Sequence, residues 1–278
     1  MAKFTCNFIS YTLHRTVDIT VVIPSVTIPE SMGFGASDID GVPDDLSQLK
    51  GTARHSKKDR FPVLYLLHGY GNNHAQWTGY TNVELFAEEQ NIAVVNISAE
   101  NKSYVKNGGD DFYSFIEDEL PDFICGMFPI SRRPEDTYIA GLSMGGYGTL
   151  VHALGNPEKY AAFGAFSAAV DINPAQLSGG EAKDLDPSID PIALADKLIA
   201  SKAKFPEAYI AIGGEDFLLD ANRAFRDRLL SAGVKVTYEE IPEYGHEWRF
   251  WNIEIEKFLD WIRPIRTDAY AKTAKRQV

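Results

Sequence analysis

The segment Thr137–Leu150, TYIAGLSMGGYGTL, decides the fold and the chemistry that we predict for this chain. A short apolar run leads into Gly141-Leu142-Ser143-Met144-Gly145, and the residues that follow can form a helix. G-x-S-x-G between a strand and a helix is typical of a nucleophile elbow, a turn so tight that the serine oxygen projects above the sheet. Side chains two residues before and after the serine would collide with neighbouring backbone, so glycine fits both places.

A glycine-rich turn with a chance serine is the alternative interpretation of this segment. A helix that begins just after Ser143 favours the elbow, because its first amide N–H groups point toward the place where an oxyanion would form. The remaining parts of such a site, a base, an acid and a second oxyanion donor, must then occur elsewhere in the chain.

Composition indicates a globular protein. The 278 residues are 45% hydrophobic and 24% charged, and the length suffices for one large domain with a substantial core or for two small ones. A net charge of −12 argues against nucleic acid or an anionic membrane as the main partner. The first twenty residues lack the apolar stretch of a signal peptide, and no run approaches the ~20 apolar residues of a membrane span.

The two cysteines, Cys6 and Cys125, have no spacing typical of a metal site or a redox motif. Without a secretion signal, we expect both to be free, buried thiols and the protein to be cytoplasmic. The oligomeric state stays open between a monomer and a homo-oligomer.

Hydrophobic patterning predicts strands that alternate with helices. Residues 3–10 and 16–23 alternate apolar and polar side chains, which is typical of two antiparallel strands. Apolar runs typical of buried parallel strands occur at Phe61–Leu67, Ile92–Ser98, Thr137–Leu142, Tyr160–Ala169 and Ala208–Ile212. Val234–Ile241 is predicted to be the last strand. The pattern predicts an α/β fold with a mostly parallel, doubly wound sheet in one domain, 1–278.

Four longer helices are predicted between the strands and after the last strand. They are residues 80–90, Phe112–Phe128 with Glu117, Asp118 and Glu119 on its solvent-facing side, Asp220–Ala232 with Asp220 as the N-cap, and Glu247–Ile262, which ends before Pro264.

Three segments break this rhythm. Residues 30–60 predict a surface loop insertion, 171–205 a small cap-like insertion that includes a helix at Ile192–Ala200, and 267–278 a frayed tail.

A serine nucleophile needs a base within hydrogen-bond reach and a carboxylate that orients the base. Two histidines follow Ser143 in the chain, His152 and His246. His152 lies on the helix that starts at the nucleophile, about 13 Å along it, and cannot fold back to the hydroxyl. His246 lies between the last strand and the last helix, where a base is expected.

The acid is predicted in the loop Gly213–Phe217, which follows a strand at the same edge of the sheet. Asp216 is the preferred residue. Glu215 and Asp220 remain alternatives, although Asp220 is also expected to cap a helix.

The oxyanion site requires two convergent backbone donors. The Met144 N–H is one candidate, and the Tyr70 N–H, in the loop after Phe61–Leu67, is the other, with Gly71 as its neighbour. His68 is predicted to brace this loop. Trp77, Tyr104, Tyr244 and Trp248 are candidates for the substrate pocket, and core packing is an equally good interpretation of each.

These motifs together resemble the tributyrin esterase family, in the esterase D-like branch of the α/β-hydrolases. The matching pieces are VLYLLHGYGNNHAQW (63–77), YIAGLSMGGYGTL (138–150), GGEDFLLDANRAF (213–225) and PEYGHEWRFW (242–251). They extend over most of the chain, from about residue 16 to residue 262. The two insertions have no counterpart in the resemblance.

The resemblance implies an α/β-hydrolase fold and a serine carboxylesterase that hydrolyses short-chain acyl esters without a metal or other cofactor. It implies the nucleophile Ser143, the acid Asp216, the base His246 and the oxyanion donors Tyr70 and Met144.

Other functions remain open on the sequence. An S-formylglutathione hydrolase shares the Ser-Met-Gly-Gly element, and an acetyl or feruloyl esterase could act on plant-derived oligosaccharide esters. Acyl transfer to an acceptor other than water would use the same residues. A catalytically inactive binding module is disfavoured, because nucleophile, acid and base are all present in order.

Overall fold

Extended segments dominate the centre of the structure, a computed structural model that describes residues 1–25, 60–173 and 186–276. The strands are β1 (Ala2–Ser10), β2 (Arg15–Ile23), β3 (Val63–Leu67), β4 (Ala93–Ile97), β5 (Lys106–Asn107), β6 (Asp110–Asp111), β7 (Thr137–Leu142), β8 (Ala162–Phe166), β9 (Glu207–Gly213) and β10 (Val236–Ile241). In the described residues, eight of them form one sheet in the order β1-β2-β4-β3-β7-β8-β9-β10, and β5 and β6 form a separate hairpin.

The sheet is parallel from β4 to β10, and antiparallel pairing occurs at the β1–β2 and β2–β4 contacts. Every residue of β3, β4 and β8 is buried, as expected of strands covered on both faces. The predicted mostly parallel α/β sheet with antiparallel N-terminal strands is confirmed.

Helices cover both faces of this sheet. They are α1 (Gln76–Tyr80), α2 (Val83–Gln90), α3 (Phe112–Ser114), α4 (Leu120–Met127), α5 (Met144–Gly155), α6 (Pro191–Ser201), α7 (Leu219–Ser231) and α8 (Trp248–Arg276). One core contains apolar residues of α5, α6 and α7, and the other contains those of α2 and α8. Each large apolar side chain buried in this way stabilises the fold by roughly 1.5–3 kcal/mol.

The strand order places a crevice at one point of the sheet. β4 and β7 lie on opposite sides of β3, so the direction of winding reverses between β3 and β7. In open α/β sheets, ligands bind at the carboxyl ends of the strands where the order reverses. The loop after β3 and the turn after β7 meet at this point.

The acidic helix differs from its prediction. Asp118 is exposed as expected, but Glu117 and Glu119 are buried, so their predicted solvent-facing position is wrong. Residues Phe115–Glu119, which include both glutamates, form a π-helical turn between α3 and α4, so their side chains do not follow the 3.6-residue period of an α-helix. Glu119 then accepts hydrogen bonds from Ser10 Oγ at 2.7 Å and from the amides of Tyr11 and Thr12 at 2.9 Å.

Two helix boundaries also differ. Helix α7 begins at Leu219 with Leu218 at the N-cap position, so Asp220 lies in the first turn and is not the cap. Helix α8 continues past Pro264 to Arg276, so its predicted end before Pro264 is wrong. A proline removes only one backbone donor, which bends or weakens a helix without necessarily ending it.

The predicted insertions are only partly visible. Most of 30–60 and the stretch 174–185 lie outside the described residues. Within the second segment, α6 packs against α5 through Leu194, Ala195 and Leu198. The cap-like role of 171–205 and the fraying of 267–278 stay predictions. Both cysteines are free thiols; Cys125 is buried as predicted, whereas Cys6 is only half-buried.

Candidate active site

The turn between β7 and α5 holds Ser143 in an unusual backbone conformation, with φ 55° and ψ −117°. Its N–H donates to the Phe166 carbonyl at 2.9 Å. A Cβ on Gly141 would collide with the backbone of Gly145, and a Cβ on Gly145 would collide with the backbone of Leu67 and His68. Both positions therefore require glycine, because neighbouring backbone leaves no room for a side chain, as the G-x-S-x-G motif predicts.

A continuous chain of hydrogen bonds joins Ser143, His246 and Asp216. His246 Nδ1 lies 2.9 Å from Asp216 Oδ2, and His246 Nε2 lies 3.0 Å from Ser143 Oγ. An ionised carboxylate only accepts, so Nδ1 carries the proton and Nε2 is free to accept the Ser143 hydroxyl. The three residues come from the loops after β7, β9 and β10, which share one edge of the sheet.

Asp216 is buried and well supplied with donors. Burial alone would raise the pKa of Asp216, but the hydrogen bond and charge of His246, together with hydrogen bonds from the Leu218 N–H and the Ser167 hydroxyl, hold it below its usual value. Of the two alternatives, Asp220 lies in the first turn of α7 and Glu215 precedes Asp216 in the loop. Neither has a recorded hydrogen bond to His246 in the described residues.

Two supporting residues were not found from the sequence. Trp251 Nε1 donates to Ser167 Oγ at 3.1 Å, which leaves the Ser167 proton free to donate to Asp216. The Trp251 ring also lies edge-on to the His246 ring, with centroids 5.0 Å apart. Ser167 directly follows β8, at the edge of the sheet where Ser143, Asp216 and His246 lie. This position is the signal in the sequence that could have identified Ser167 as part of the site.

The loop after β3 carries the second predicted oxyanion donor. Gly71 has φ 76°, and its N–H donates to Asn101 Oδ1 at 2.7 Å. The N–H groups of Tyr70 and Met144 have no hydrogen-bond acceptor recorded in the part of the chain that the structure describes. The Tyr70 side chain is exposed, so its backbone alone is relevant here.

His68 braces this loop. Its Nδ1 donates to the Gly69 carbonyl at 2.7 Å, and its Nε2 accepts from the Ala99 N–H at 3.0 Å. Burial lowers the pKa of His68 to about 4, so the ring is neutral near pH 7 and its two nitrogens keep distinct roles.

Two of the four predicted pocket aromatics are enclosed by protein. Trp77 and Tyr104 have no exposed surface, and each donates a hydrogen bond to backbone, Trp77 to Leu67 O and Tyr104 to His68 O. No surface of either is available to a substrate in this structure. Tyr104 belongs to the core that contains α5, and Trp77 to the core that contains α8.

The other two pocket candidates are half-buried. Trp248 packs edge-on against Trp77 and Trp251, and Tyr244 lies next to Phe250. Phe217, which the sequence did not single out, is 73% exposed, and its ring centroid lies 4.7 Å from that of His246. The Phe217 ring therefore borders the site next to His246.

His152 lies away from Ser143, as its helical spacing predicts. Its Nδ1 lies 2.6 Å from Glu117 Oε1, and its Nε2 lies 2.9 Å from the Tyr104 carbonyl.

The Esterase family, described as "Putative esterase", matches residues 52–262, which include all three members of the hydrogen-bonded chain. The chain belongs to the Esterase family. It is a carboxylic ester hydrolase with an α/β-hydrolase fold.

The chain is also similar to individual esterases and hydrolases, both in sequence and in structure. An acetyl esterase from Caldicellulosiruptor saccharolyticus is 33% identical over 227 residues, which cover 74% of this chain and 85% of the relative. The structures of FphF, a fluorophosphonate-binding serine hydrolase of Staphylococcus aureus, and of the S-formylglutathione hydrolase FrmB from the same organism each have a TM-score of 0.76 and 26% identity. Each alignment covers 94% of this chain and 98% of the other.

The described part of the chain has neither a membrane-spanning helix nor a cluster of metal-binding side chains. Across residues 1–25, 60–173 and 186–276, no helix has both the length and the apolar character needed to cross a bilayer. The same ranges contain no group of three or more His, Cys, Asp or Glu side chains placed to hold a metal ion.

Proposed function

We propose that this protein is a serine carboxylesterase that hydrolyses short-chain acyl esters through Ser143, His246 and Asp216. The observation that carries the proposal is the hydrogen-bonded chain from Asp216 Oδ2 through the His246 ring to Ser143 Oγ, with steps of 2.9 and 3.0 Å. Both distances lie in the range required of a nucleophile, its base and the group that orients the base.

The reaction is a two-step acyl transfer. Ser143 Oγ attacks the ester carbonyl carbon while His246 Nε2 takes the hydroxyl proton, and the carbonyl oxygen becomes an oxyanion that accepts from the Tyr70 and Met144 amides. His246 then returns the proton to the departing alcohol, which leaves an acyl-enzyme. Water repeats the sequence, and the acid is released with Ser143 regenerated.

Asp216 stabilises the imidazolium that forms in each step. The lowered pKa of Asp216 keeps its carboxyl ionised near neutral pH, and the hydrogen bond that His246 Nδ1 donates to Asp216 Oδ2 fixes the tautomer of His246. The exposed ring of Phe217 lies beside the His246 ring, and Tyr244 and Trp248 are each two residues from His246 in the chain; we expect all three to contact the substrate.

The proposed substrate class is a neutral ester with a short acyl chain, as in the tributyrin esterase branch that the sequence motifs resemble. The acetyl esterase relative supports a small acyl group. The resemblance in structure to an S-formylglutathione hydrolase supports a second candidate, the thiol ester of that substrate. An acetyl ester on a plant-derived oligosaccharide is a third candidate, because its acyl group is the one named for the acetyl esterase relative.

The proposal is tested by hydrolysis of p-nitrophenyl esters from acetate to decanoate. We expect activity that peaks at the short chains and that falls by roughly 10⁶-fold in Ser143→Ala. Ser231→Ala is the matched control, because Ser231 is an exposed serine at the end of α7. Equal activity in Ser143→Ala and Ser231→Ala would contradict the assigned nucleophile.

If the folded wild type hydrolyses S-formylglutathione and none of the p-nitrophenyl esters, the second candidate replaces the first. Inactivity on both, with Ser143 unreactive toward a fluorophosphonate, would contradict a serine hydrolase.

A further inference from the structure

A buried histidine–glutamate pair lies beneath the loop that carries Tyr70, outside the Ser143–His246–Asp216 chain. His152 Nε2 faces the Tyr104 carbonyl at 2.9 Å, and a carbonyl oxygen only accepts, so Nε2 carries a proton. His152 Nδ1 faces Glu117 Oε1 at 2.6 Å, and Tyr160 donates to the same oxygen at 2.9 Å.

Glu117 is held in its ionised form. Burial alone would raise the pKa of Glu117, but the hydrogen bond and charge of His152, together with Lys159, lower it. The His152 ring bridges the Glu117 carboxylate and the Tyr104 carbonyl, with one ring nitrogen on each oxygen. The pair therefore anchors the Tyr104 carbonyl with a buried hydrogen bond.

Tyr104 is the residue that this pair holds. Its backbone has φ 65°, a left-handed conformation that costs free energy for a residue with a side chain. Its ring packs against Gly148 of α5, where an added Cβ would lie 2.6 Å from Tyr104 Cδ2. Burial raises the pKa of the Tyr104 hydroxyl well above its usual value, so it remains a donor, and it donates to the His68 carbonyl at 2.8 Å.

The His68 carbonyl is fixed from a second side by α5. A Cβ on Gly145 would lie 2.6 Å from His68 O, so the start of α5 and the loop after β3 touch at this carbonyl. Gly145 directly follows Met144. The contact therefore sets the distance between the two predicted oxyanion donors, the Met144 and Tyr70 amides.

The orientation of the Tyr70 amide follows from the next peptide. His68 Nδ1 donates to the Gly69 carbonyl at 2.7 Å, and the Asn72 N–H donates to the same oxygen at 3.3 Å. The peptide between Gly69 and Tyr70 is planar and trans, so its N–H points away from its carbonyl. Because His68 and Asn72 hold that carbonyl, the Tyr70 N–H must face the opposite side.

We propose that Tyr104 is a positioning residue for the oxyanion site: its hydroxyl holds the His68 carbonyl, and through it the Tyr70 N–H, opposite the Met144 N–H. The His152–Glu117 pair keeps Tyr104 in place. The catalytic consequence rests on the proposed serine esterase function, whereas the structural consequence does not.

The test compares Tyr104→Phe with Tyr113→Phe. Tyr113 belongs to the same cluster, since its ring stacks on His152 and its hydroxyl accepts from Asn156 Nδ2 at 2.8 Å. Among the described residues, no hydrogen bond or ring contact joins Tyr113 to the loop after β3. Both variants lose one partly or fully buried hydroxyl and keep the ring. A merely structural role would therefore affect them alike.

Two readouts are measured on each variant. The first is hydrogen exchange of the backbone amides of residues 68–72, and the second is the separate determination of kcat and KM for a short-chain ester. We expect faster exchange in that segment and a roughly 10-fold lower kcat with unchanged KM for Tyr104→Phe. We expect neither change for Tyr113→Phe.

Each outcome bears on one proposal. Unchanged exchange in Tyr104→Phe, or faster exchange with an unchanged kcat in an active enzyme, overturns the positioning role. An equal loss of kcat in both tyrosine variants overturns it as well. An inactive wild type together with faster exchange confined to Tyr104→Phe would overturn the proposed esterase function and leave the loop-holding role of Tyr104 supported.

Discussion

Ser143 occupies a backbone conformation that residues with side chains rarely adopt, and its neighbours hold it there. Its carbonyl accepts from the Tyr147 N–H at 3.0 Å and from the Ala169 N–H at 3.1 Å, while its own N–H donates to Phe166. Strain of this kind costs about 1–3 kcal/mol and persists only where the surroundings fix it. The strained turn places Ser143 Oγ within reach of His246.

The assignment of the acid can be tested with two aspartates, Asp216 in the loop after β9 and Asp220 in the first turn of α7. Asp216→Asn removes the charge that stabilises the His246 imidazolium and lets the wrong tautomer form, so we expect kcat to fall roughly 10³–10⁴-fold. Asp220→Asn removes only a favourable charge in the first turn of α7, worth about 0.3–1 kcal/mol of stability. Ester hydrolysis and urea unfolding of both variants measure the two effects. The reverse pattern would assign the acid to Asp220.

Helix α5 illustrates how tertiary contacts decide the role of a residue within an element. An alanine in the interior of a helix is normally about 1 kcal/mol more favourable than glycine. At Gly148, however, the added Cβ would lie 2.6 to 2.8 Å from three atoms of the Tyr104 side chain. The propensity of the helix and the packing of Tyr104 therefore oppose each other at this position.

We predict that Gly148→Ala destabilises the protein by about 1–3 kcal/mol, in the range of overpacked cores, and lowers kcat by displacing Tyr104. Gly126→Ala in α4 is the matched control, because a Cβ there has no heavy atom within 4 Å. The control should gain a few tenths to about 1 kcal/mol from helix propensity alone. Thermal and urea unfolding check both values, and a stabilised Gly148→Ala would show that Tyr104 is free to move.

Over the whole molecule, the dependence of stability on pH reports on the buried His68. Its pKa is about 4 in the folded state and 6.5 in the unfolded chain, so the unfolded state binds more protons between these values. The stabilisation from a neutral His68 is therefore fully present above pH 6.5 and is lost as the pH falls toward 4. The shift of 2.5 pH units corresponds to about 3 kcal/mol.

We expect the free energy of unfolding to fall by up to about 3 kcal/mol more between pH 6.5 and pH 4 in the wild type than in His68→Asn. His14→Asn is the control, because His14 is exposed and has a positive φ that asparagine tolerates. Urea unfolding at several pH values measures the difference. Carboxylates titrate in all three proteins, so parallel curves for the wild type and His68→Asn would contradict a buried neutral His68.

The sequence by itself determined the features that depend on neighbouring residues or on chain order. The apolar runs predicted β3, β4, β7, β8 and β9 to within a few residues, because strands covered on both faces need continuous apolar sequence. The edge strand β10 was also predicted to within a few residues, although all six of its residues are only partly buried. The glycines around Ser143 predicted close backbone approach, and the order of Ser143, Asp216 and His246 placed all three in loops at one edge of a parallel sheet. The catalytic roles of these residues stay predictions.

Only the tertiary structure decided which polar and aromatic side chains are enclosed. Glu117 and Glu119 belong to an acidic run and Tyr104 to a loop, yet all three are buried because segments distant in sequence supply their hydrogen-bond partners. Ser167 and Trp251, 84 residues apart, meet behind Asp216 for the same reason. Local pattern predicts which way a strand or helix faces, but the burial of a single side chain depends on what packs over it.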